Sequence, residues 1–508
     1  MISRRWEVLF LLAVSVVGSG LFLANLGNAY LWQDEAQTAL IAQTVLQHGL
    51  PKGHDEKNSF SQELGIDVGK NDVWRWHPWL AFYVVAPFLE LLGTTTFAAR
   101  LPFALFGLGC VPLLYLLSRA LWKDGKIAAL SAGVLLVSVP FLLLARQCRY
   151  YSLAAFFLLG GLYGYVALVE RRRSGPYLYL ICAVLLCHAN YVNLIVLLAA
   201  VGLHTLVFHR DQWRRVAGWS LGVVLLTAPW IIWFSSIHWG QTGLLDVKAY
   251  AFRLLAFLRP LNTHVFPVWL LLIPLSVALW SKLRRYDIPF WKEDRFLSRL
   301  SLPVLLVGIN LLALPYTAPG PYFRYLGPLI PLACMVIALF ARWAMRIHWV
   351  IGLVILGAVI ARSPVRSYLY EVTHDFDGPI EGIVRYLNEH AQEGDTVAIT
   401  YGDLPVKFYT KLRVYGGLTG EDLTPALDAD WIIIRRNIVC PKDHNVSAFL
   451  RAHVDGSKYE RIALSYPDTR FENREDPDSH FYRTQTDVPP VVIWRKRTAA
   501  SQSVPYPP

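Results

Sequence analysis

Residues 8–26, VLFLLAVSVVGSGLFLANL, run without a charge and lead into Trp32-Gln33-Asp34-Glu35. Such a run is long enough to cross a hydrocarbon core of about 30 Å as a helix. The polar stretch that follows closes on Trp74-Arg75-Trp76-His77-Pro78. Two adjacent acids just beyond a membrane span, framed by aromatics, point to chemistry on a lipid-borne substrate at a membrane face.

The rest of the chain supports a membrane setting. Of 508 residues, 55% are apolar and only 17% charged, whereas a soluble domain is about a quarter charged. A single apolar run could be a buried soluble helix, but the pattern repeats. Spans are predicted at 8–26, 101–119, 127–145, 150–169, 177–189, 191–208, 216–234, 266–281, 301–316, 325–341 and 348–361. The chain therefore reads as a mainly α polytopic membrane protein with about eleven transmembrane helices. The first run resembles a secretory signal, but with so many later spans it is better read as an uncleaved first helix.

The net charge is +11, and its placement is informative. Basic residues gather at Arg4-Arg5, Arg119/Lys123/Lys126, Arg171-Arg172-Arg173, Arg210/Arg214/Arg215, Lys282/Arg284/Arg285 and Arg342/Arg346, all between apolar runs. Lys- and Arg-rich loops stay in the cytoplasm. An N-terminus inside puts every one of these clusters on that side. Spread over short loops, the charge forms no single basic face, which excludes a nucleic-acid partner. The six cysteines show neither a disulfide framework nor a zinc spacing.

Residues 78–93 are apolar but short and carry Pro78 and Pro87. Counting them as a span would invert every later loop, so they are expected to form an interfacial or re-entrant helix. Residues 36–48 read as a second short helix in the same first outer loop, 27–100. The other outer segments are the turns near Arg146 and His188, 235–265 and 317–324. Residues 1–361 are expected to form a transmembrane module. Residues 362–508 turn polar and form a small extracytoplasmic α/β domain, with a helix near 376–392 and strands at 395–401, 431–435, 459–465 and 491–494. The last ten residues, rich in Ser and Pro, are expected to be disordered.

Several residues are suited to chemistry. Asp34 and Glu35 point about 100° apart on a helix, so they serve different atoms, one facing substrate and the other capping or holding a neighbour. Arg146 and Arg149 share a face if their turn is helical. They then either clamp a phosphate with two guanidinium forks or snorkel to lipid headgroups. Tyr150 and Tyr151 fit either role. His77 precedes a proline suited to a helix start and can hydrogen-bond a phosphate or an acid. His188 sits on another outer turn, and Arg324 in Tyr322-Phe323-Arg324-Tyr325 is a further phosphate candidate against simple interface anchoring. The span interiors hold almost no ionisable residues, unlike those of ion-coupled carriers.

These motifs, in order, resemble the C-type membrane glycosyltransferases of the protein O-mannosyltransferase and aminoarabinose-transferase kind. The resemblance rests on Asp34-Glu35, His77-Pro78, Arg100-Leu101-Pro102-Phe103-Ala104-Leu105-Phe106-Gly107, Arg146-Gln147-Cys148-Arg149, Arg324-Tyr325-Leu326-Gly327-Pro328-Leu329-Ile330-Pro331 and Tyr401-Gly402-Asp403-Leu404-Pro405. Trp79 stands where the family often has a second proline, and Gln147 and Tyr150-Tyr151 stand where an acid sometimes occurs. The resemblance implies inverting transfer of a sugar from a polyprenyl-phosphate donor to the hydroxyl of a glycan, lipid or protein at the outer face of a bacterial inner membrane. Asp34 is then the expected base, Glu35 a supporting acid, and Arg146, Arg149, Arg324 and His77 the expected phosphate ligands. Tyr151 and His188 are secondary candidates. A divalent metal would share the phosphate's charge, but no ligand spacing marks a site. Two other classes remain open on the sequence: a flippase for a lipid-linked sugar, and a glycan-binding scaffold.

Overall fold

The computed structural model describes residues 4–235, 246–283, 296–436, 443–469, 477 and 488–497. Arg284, Arg285, Cys440 and the Ser/Pro-rich end lie outside the described residues. Fourteen helices belong to the apolar part and its first loop: α1 Arg4–Leu23, α2 Gln33–His48, α3 Leu80–Leu92, α4 Thr96–Trp122, α5 Gly125–Leu136, α6 Val139–Ala145, α7 Tyr151–Val169, α8 Gly175–Phe208, α9 Trp213–Ser235, α10 Val247–Pro260, α11 Leu272–Leu283, α12 Phe296–Thr317, α13 Ile330–Ile347 and α14 Trp349–Arg362. The short helix α15 Val365–Thr373 leads to the tail, which carries α16 Pro379–His390, α17 Asp403–Tyr409 and α18 Asp443–His453.

Among the described residues six helices are long and apolar enough to cross a membrane, and the number rises to nine if each of three bent pairs is one span. The predicted span 127–145 is one of these pairs, α5 and α6 meeting at 63°. The bend falls at Val137-Ser138, just before Pro140, which sits in the first turn of α6, where a missing N–H costs nothing. The region 235–265, expected as a loop, contains α10. Its Tyr250 hydroxyl donates to Leu312 O, and Arg253 donates to Pro315 O and Ala318 O at the end of α12.

The long element α8 is broken at Asn190, whose φ of −161° and ψ of 101° are not helical. Its two arms run back along each other. Gly164 of α7 lies against the Tyr179 backbone, while neighbouring Tyr165 bonds His204 at 2.7 Å and Thr205 at 2.9 Å. In a straight helix Tyr179 and His204 would be about 37 Å apart at 1.5 Å per residue. The predicted pair of short spans with a turn near His188 is therefore what the contacts describe.

Ion pairs sort the helix ends into two faces. Lys123 and Arg172 both meet Glu170, Arg342 meets Asp124, and Arg171 meets Asp211. The basic clusters of α4–α5, α7–α8, α8–α9 and α13 thus share one face. At the other end of α4, about 40 Å away for 27 helical residues, lie the α1–α2 linker, the first loop and the tail. Helix α3, at 13 residues, stays on that second face: Tyr83 donates to Gly49 O and Gln43 to Thr94 Oγ1. At 13 residues it is too short to count among the helices able to cross a membrane, and it carries Pro87.

The tail builds a five-stranded sheet from β1 Thr396–Ile399, β2 Arg413–Gly416, β3 Trp431–Ile433, β4 Tyr459–Pro467 and β5 Pro490–Lys496, in the order β2-β1-β3-β5-β4. The first three strands are parallel and the last two antiparallel to their neighbours. Alternation puts Val397, Ile399, Trp431 and Ile433 in one core and Ala398 and Ile432 in another. Helix α16 covers the first core with Ile380, Ile383, Val384 and Leu387, a helical stripe. Four of the five strands and α16 match the sequence prediction, and β2 and α17 do not figure in it.

Between membrane helices, packing is set by how closely backbones approach. Gly160 and Gly164 of α7 abut Cys182 and the Tyr179 backbone, and a Cβ on Gly164 would fall 2.4 Å from Tyr179 N. Gly164→Ala is therefore expected to cost about 1–3 kcal/mol by prying α7 from α8. Gly202→Ala, with nothing within 4 Å, should leave thermal unfolding in detergent nearly unchanged.

Candidate active site

Helix α2 begins at Gln33, so Asp34 and Glu35 are its second and third residues. Acids are favoured there by the helix dipole, and the 100° step between them sends each to a different place.

Glu35 goes inward and is fully buried. Its carboxylate pairs with Arg100 of α4, Oε2 at 2.6 Å from Nη2 and Oε1 at 2.8 Å from Nε. Arg100 spends its remaining N–H groups on the carbonyls of Leu26, Asn28, Ala29 and Tyr30. Glu35 Oε1 also accepts the Cys148 N–H at 2.7 Å. One buried ion pair thereby holds the α1–α2 linker, α2, α4 and the turn between α6 and α7. The sequence singled out Glu35 as a supporting acid, and the geometry makes it an anchor for this turn.

Asp34 points outward and is only partly buried. Its Oδ2 lies 3.2 Å from Arg324 Nη1 and 3.6 Å from Arg149 Nη2. Arg149 Nη1 donates to the Asp34 carbonyl and to Thr38 Oγ1, both at 3.1 Å. Its Nη2 donates to His77 Nε2 at 3.5 Å. Arg324 is flanked by the rings of Tyr322, Tyr325 and Trp32, at 4.5, 5.6 and 5.8 Å. Four of the predicted residues, Asp34, His77, Arg149 and Arg324, thus meet in one place. Two guanidiniums face one carboxylate, so the group carries excess positive charge and suits an anionic ligand.

Arg146 corrects the expectation of a paired clamp. Residues 146–150 form an irregular turn rather than a helix, so Arg146 and Arg149 do not share a face. Arg146 Nη1 donates to Leu21 O at 2.9 Å, and its guanidinium lies over the Tyr368 ring of α15. Tyr151 is buried behind Tyr150, rings 4.9 Å apart, with its hydroxyl unpaired among the described residues. His188 does not join the acid–arginine group: its described partner is the Trp230 ring, 5.4 Å away. Among the described residues no three His, Cys, Asp or Glu side chains converge as a metal site.

The tail roofs this group through the residues beside Asp34. Tyr30 N–H donates to Glu381, Leu31 N–H to Tyr409 Oη, and Gln33 Nε2 to Asp403 Oδ1 at 2.6 Å. Asp403 and Lys407 form a fully buried pair at 2.7 Å. Gln33, Thr38, Gln62 and Lys407 carry no signal in the sequence. Arg100 stood in a quoted motif without a role, and an arginine at the head of an apolar run was the one available sign that it needs a buried acid.

Residues 76–233 match the family model for dolichyl-phosphate-mannose-protein mannosyltransferase. Comparison with curated proteins found no match. Among solved structures, the fold is similar to ArnT from Cupriavidus metallidurans bound to undecaprenyl phosphate, with a TM-score of 0.56, 15% identity, and 97% of this chain and 98% of that one covered. It is also similar to the archaeal oligosaccharyltransferase AglB from Archaeoglobus fulgidus in complex with an inhibitory peptide and a dolichol-phosphate. There the TM-score is 0.58 and the identity 11%, over 96% of this chain and 76% of that one. The family match and the shared fold bear out the resemblance drawn from the sequence, to membrane glycosyltransferases of the C type.

The two acids are expected to differ in stability effect. Removing one partner of a buried ion pair costs about 3–5 kcal/mol, so Glu35→Gln should lower thermal stability in detergent strongly. Asp34→Asn should lose less than half as much; equal losses would mean that Glu35 is not the anchor.

Proposed function

We propose that this chain transfers a sugar from a polyprenyl-phosphate donor to an acceptor hydroxyl, with inversion, at the extracytoplasmic face of a bacterial inner membrane. The observation that carries this reading is the Asp34 carboxylate set against Arg149 and Arg324 beneath the tail domain. The basic clusters on the opposite face support an inward N-terminus. Eleven crossings then follow from α1, α4, the pair α5–α6, α7, the two arms of α8, α9, α11, α12, α13 and α14. Residues 1–361 form the transmembrane module and 362–508 the outer domain.

In the resting state the two guanidiniums hold Asp34. The donor phosphodiester carries one charge and two free oxygens, as a carboxylate does, and competes for them through the same forked N–H···O pairing; it gains a further oxygen and charge as the sugar departs. Once it binds, the carboxylate is released toward the acceptor hydroxyl. The acceptor oxygen attacks the anomeric carbon and its proton passes to Asp34. The bond from that carbon to the phosphate oxygen breaks, and the electron pair leaves with the lipid phosphate. Arg149 and Arg324 stabilise the charge that develops there, and His77 steadies Arg149. Glu35 acts through Arg100 and the Cys148 N–H as a positioning residue. The acceptor is a glycan, a lipid or a protein hydroxyl.

The test is transfer by the purified protein from a panel of polyprenyl-phosphate sugars. Asp34→Asn should fold and still bind donor, yet lose about 10²–10⁴-fold in turnover, the usual contribution of a general base. Arg324→Ala and Arg149→Ala should raise the donor KM more than the acceptor KM. Near-normal turnover by Asp34→Asn would remove Asp34 from the mechanism.

A further inference from the structure

The loop between α2 and α3 contributes more than cover. Gln62 donates from Nε2 to Asp34 Oδ1 at 3.4 Å, while the guanidiniums occupy Oδ2. The two oxygens of one carboxylate therefore have different neighbours. A catalytic hydrogen bond is often long in a ligand-free structure and tightens in the complex.

Gln62 is placed from two sides. Within the loop, fully buried Asp67 accepts the Gln62 backbone N–H at 3.0 Å and the Ser61 hydroxyl at 2.5 Å. Burial pushes the Asp67 carboxyl up, against the pull of those two donors. From the tail, residues 57–64 are gripped beside the edge strand β2. Lys57 Nζ bonds Lys411 O. The Asn58 amide donates to Leu412 O at 3.2 Å and accepts the Val414 N–H at 2.8 Å. Lys407 Nζ donates to Ser59 O and Leu64 N–H to Leu418 O, both at 2.8 Å. The grip occupies an edge that would otherwise expose unpaired backbone groups.

We propose that Gln62 is a positioning residue for Asp34, and that the tail domain sets its hold through residues 57–64. Gln62 orients the carboxylate so that Oδ2 faces the guanidiniums and Oδ1 remains for the acceptor proton. The tail is then part of the catalytic geometry, and loosening its grip on the loop slows transfer without weakening donor capture. This inference rests on the reading of Asp34 as the base.

The Asp34 carboxylate is faced by Arg149 from the turn before α7 and Arg324 from the turn before α13. Tyr150, Tyr151 and Tyr325 lie within reach of its charge, and His77 stands behind Arg149. A hydrogen bond donated to one carboxylate oxygen fixes the rotation of the group, so its loss lets both oxygens turn toward the guanidiniums.

The experiment compares full-length wild type, Gln62→Ala, Gln62→Met, Gln62→Glu, Asn58→Ala and the double variant Gln62→Ala/Asn58→Ala, using the polyprenyl-phosphate sugar that the wild type consumes. Gln62→Ala and Gln62→Met should lower kcat by about tenfold, as for a lost hydrogen bond to a charged group, with donor KM barely changed. Gln62→Glu, which replaces the donating amide with a second carboxylate, should lower kcat at least as far. Asn58→Ala should reproduce the fall, and the double variant should lose little more than either single. Gln62→Met keeps the bulk of the side chain, so a fall in Gln62→Ala alone is collapse of the loop and overturns the proposal. Unchanged kcat in both variants overturns it as well, as does a donor KM that rises in step with the fall in kcat, and fully additive losses overturn the tail's part. If Asp34→Asn is itself active, the base assignment fails first; if only the Gln62 variants behave as wild type, that assignment stands and this inference falls.

Discussion

Everything in the site hangs from the ion pair between Glu35 and Arg100. Two charges removed from water are costly unless each hydrogen-bonding position is met. Here two N–H groups of Arg100 meet Glu35 and the other three meet four carbonyls of the short linker after α1. The pair is less a source of stability than a device of registry. Two helices, the linker before α2 and one turn are fixed to one point, and the turn is the one that carries Arg149. Asp34, one residue along, is free to face outward because its neighbour faces in.

The membrane imposes the second constraint. Apolar side chains gain nothing by leaving lipid for protein, so the bundle depends on close backbone contact and on polar groups satisfied in pairs. The glycines of α7 provide the first. The Tyr165–His204–Ser298 and Asn193–Asn310 bonds provide the second. Ionic groups are driven to the helix ends, where they divide into a basic face and a face bearing Asp34, His77, Arg149 and Arg324. The tail domain covers the latter and joins the bundle through Asp403, Lys407 and Tyr409, residues of one short helix.

Some of the site was legible in the chain and some was not. Asp34, His77, Arg149 and Arg324 stood out because each is an ionisable residue beside an apolar run, where a charge needs a reason. The same signal misplaced Arg146, since a three-residue spacing implies a shared face only inside a helix, and the chain after Ala145 turns irregularly. Gln62 was invisible because a glutamine in a polar loop is ordinary. Its significance is wholly in what lies opposite. Residues 401–405 stand out in the chain as a motif but not as the start of helix α17, and the contact of Asp403 with Gln33 spans 370 positions of sequence.

The sequence by itself determined that this is a membrane protein, which helix ends share a face, and that a polar domain follows the last apolar run. Those properties depend on apolar length and on the order of charges, which a bilayer reads directly along the chain. The division of labour between Asp34 and Glu35, the parting of Arg146 from Arg149, and the hold of Gln62 on the carboxylate were decided only in the tertiary structure. They follow from which distant groups packing brings within hydrogen-bonding reach, and no one-dimensional pattern carries that distance.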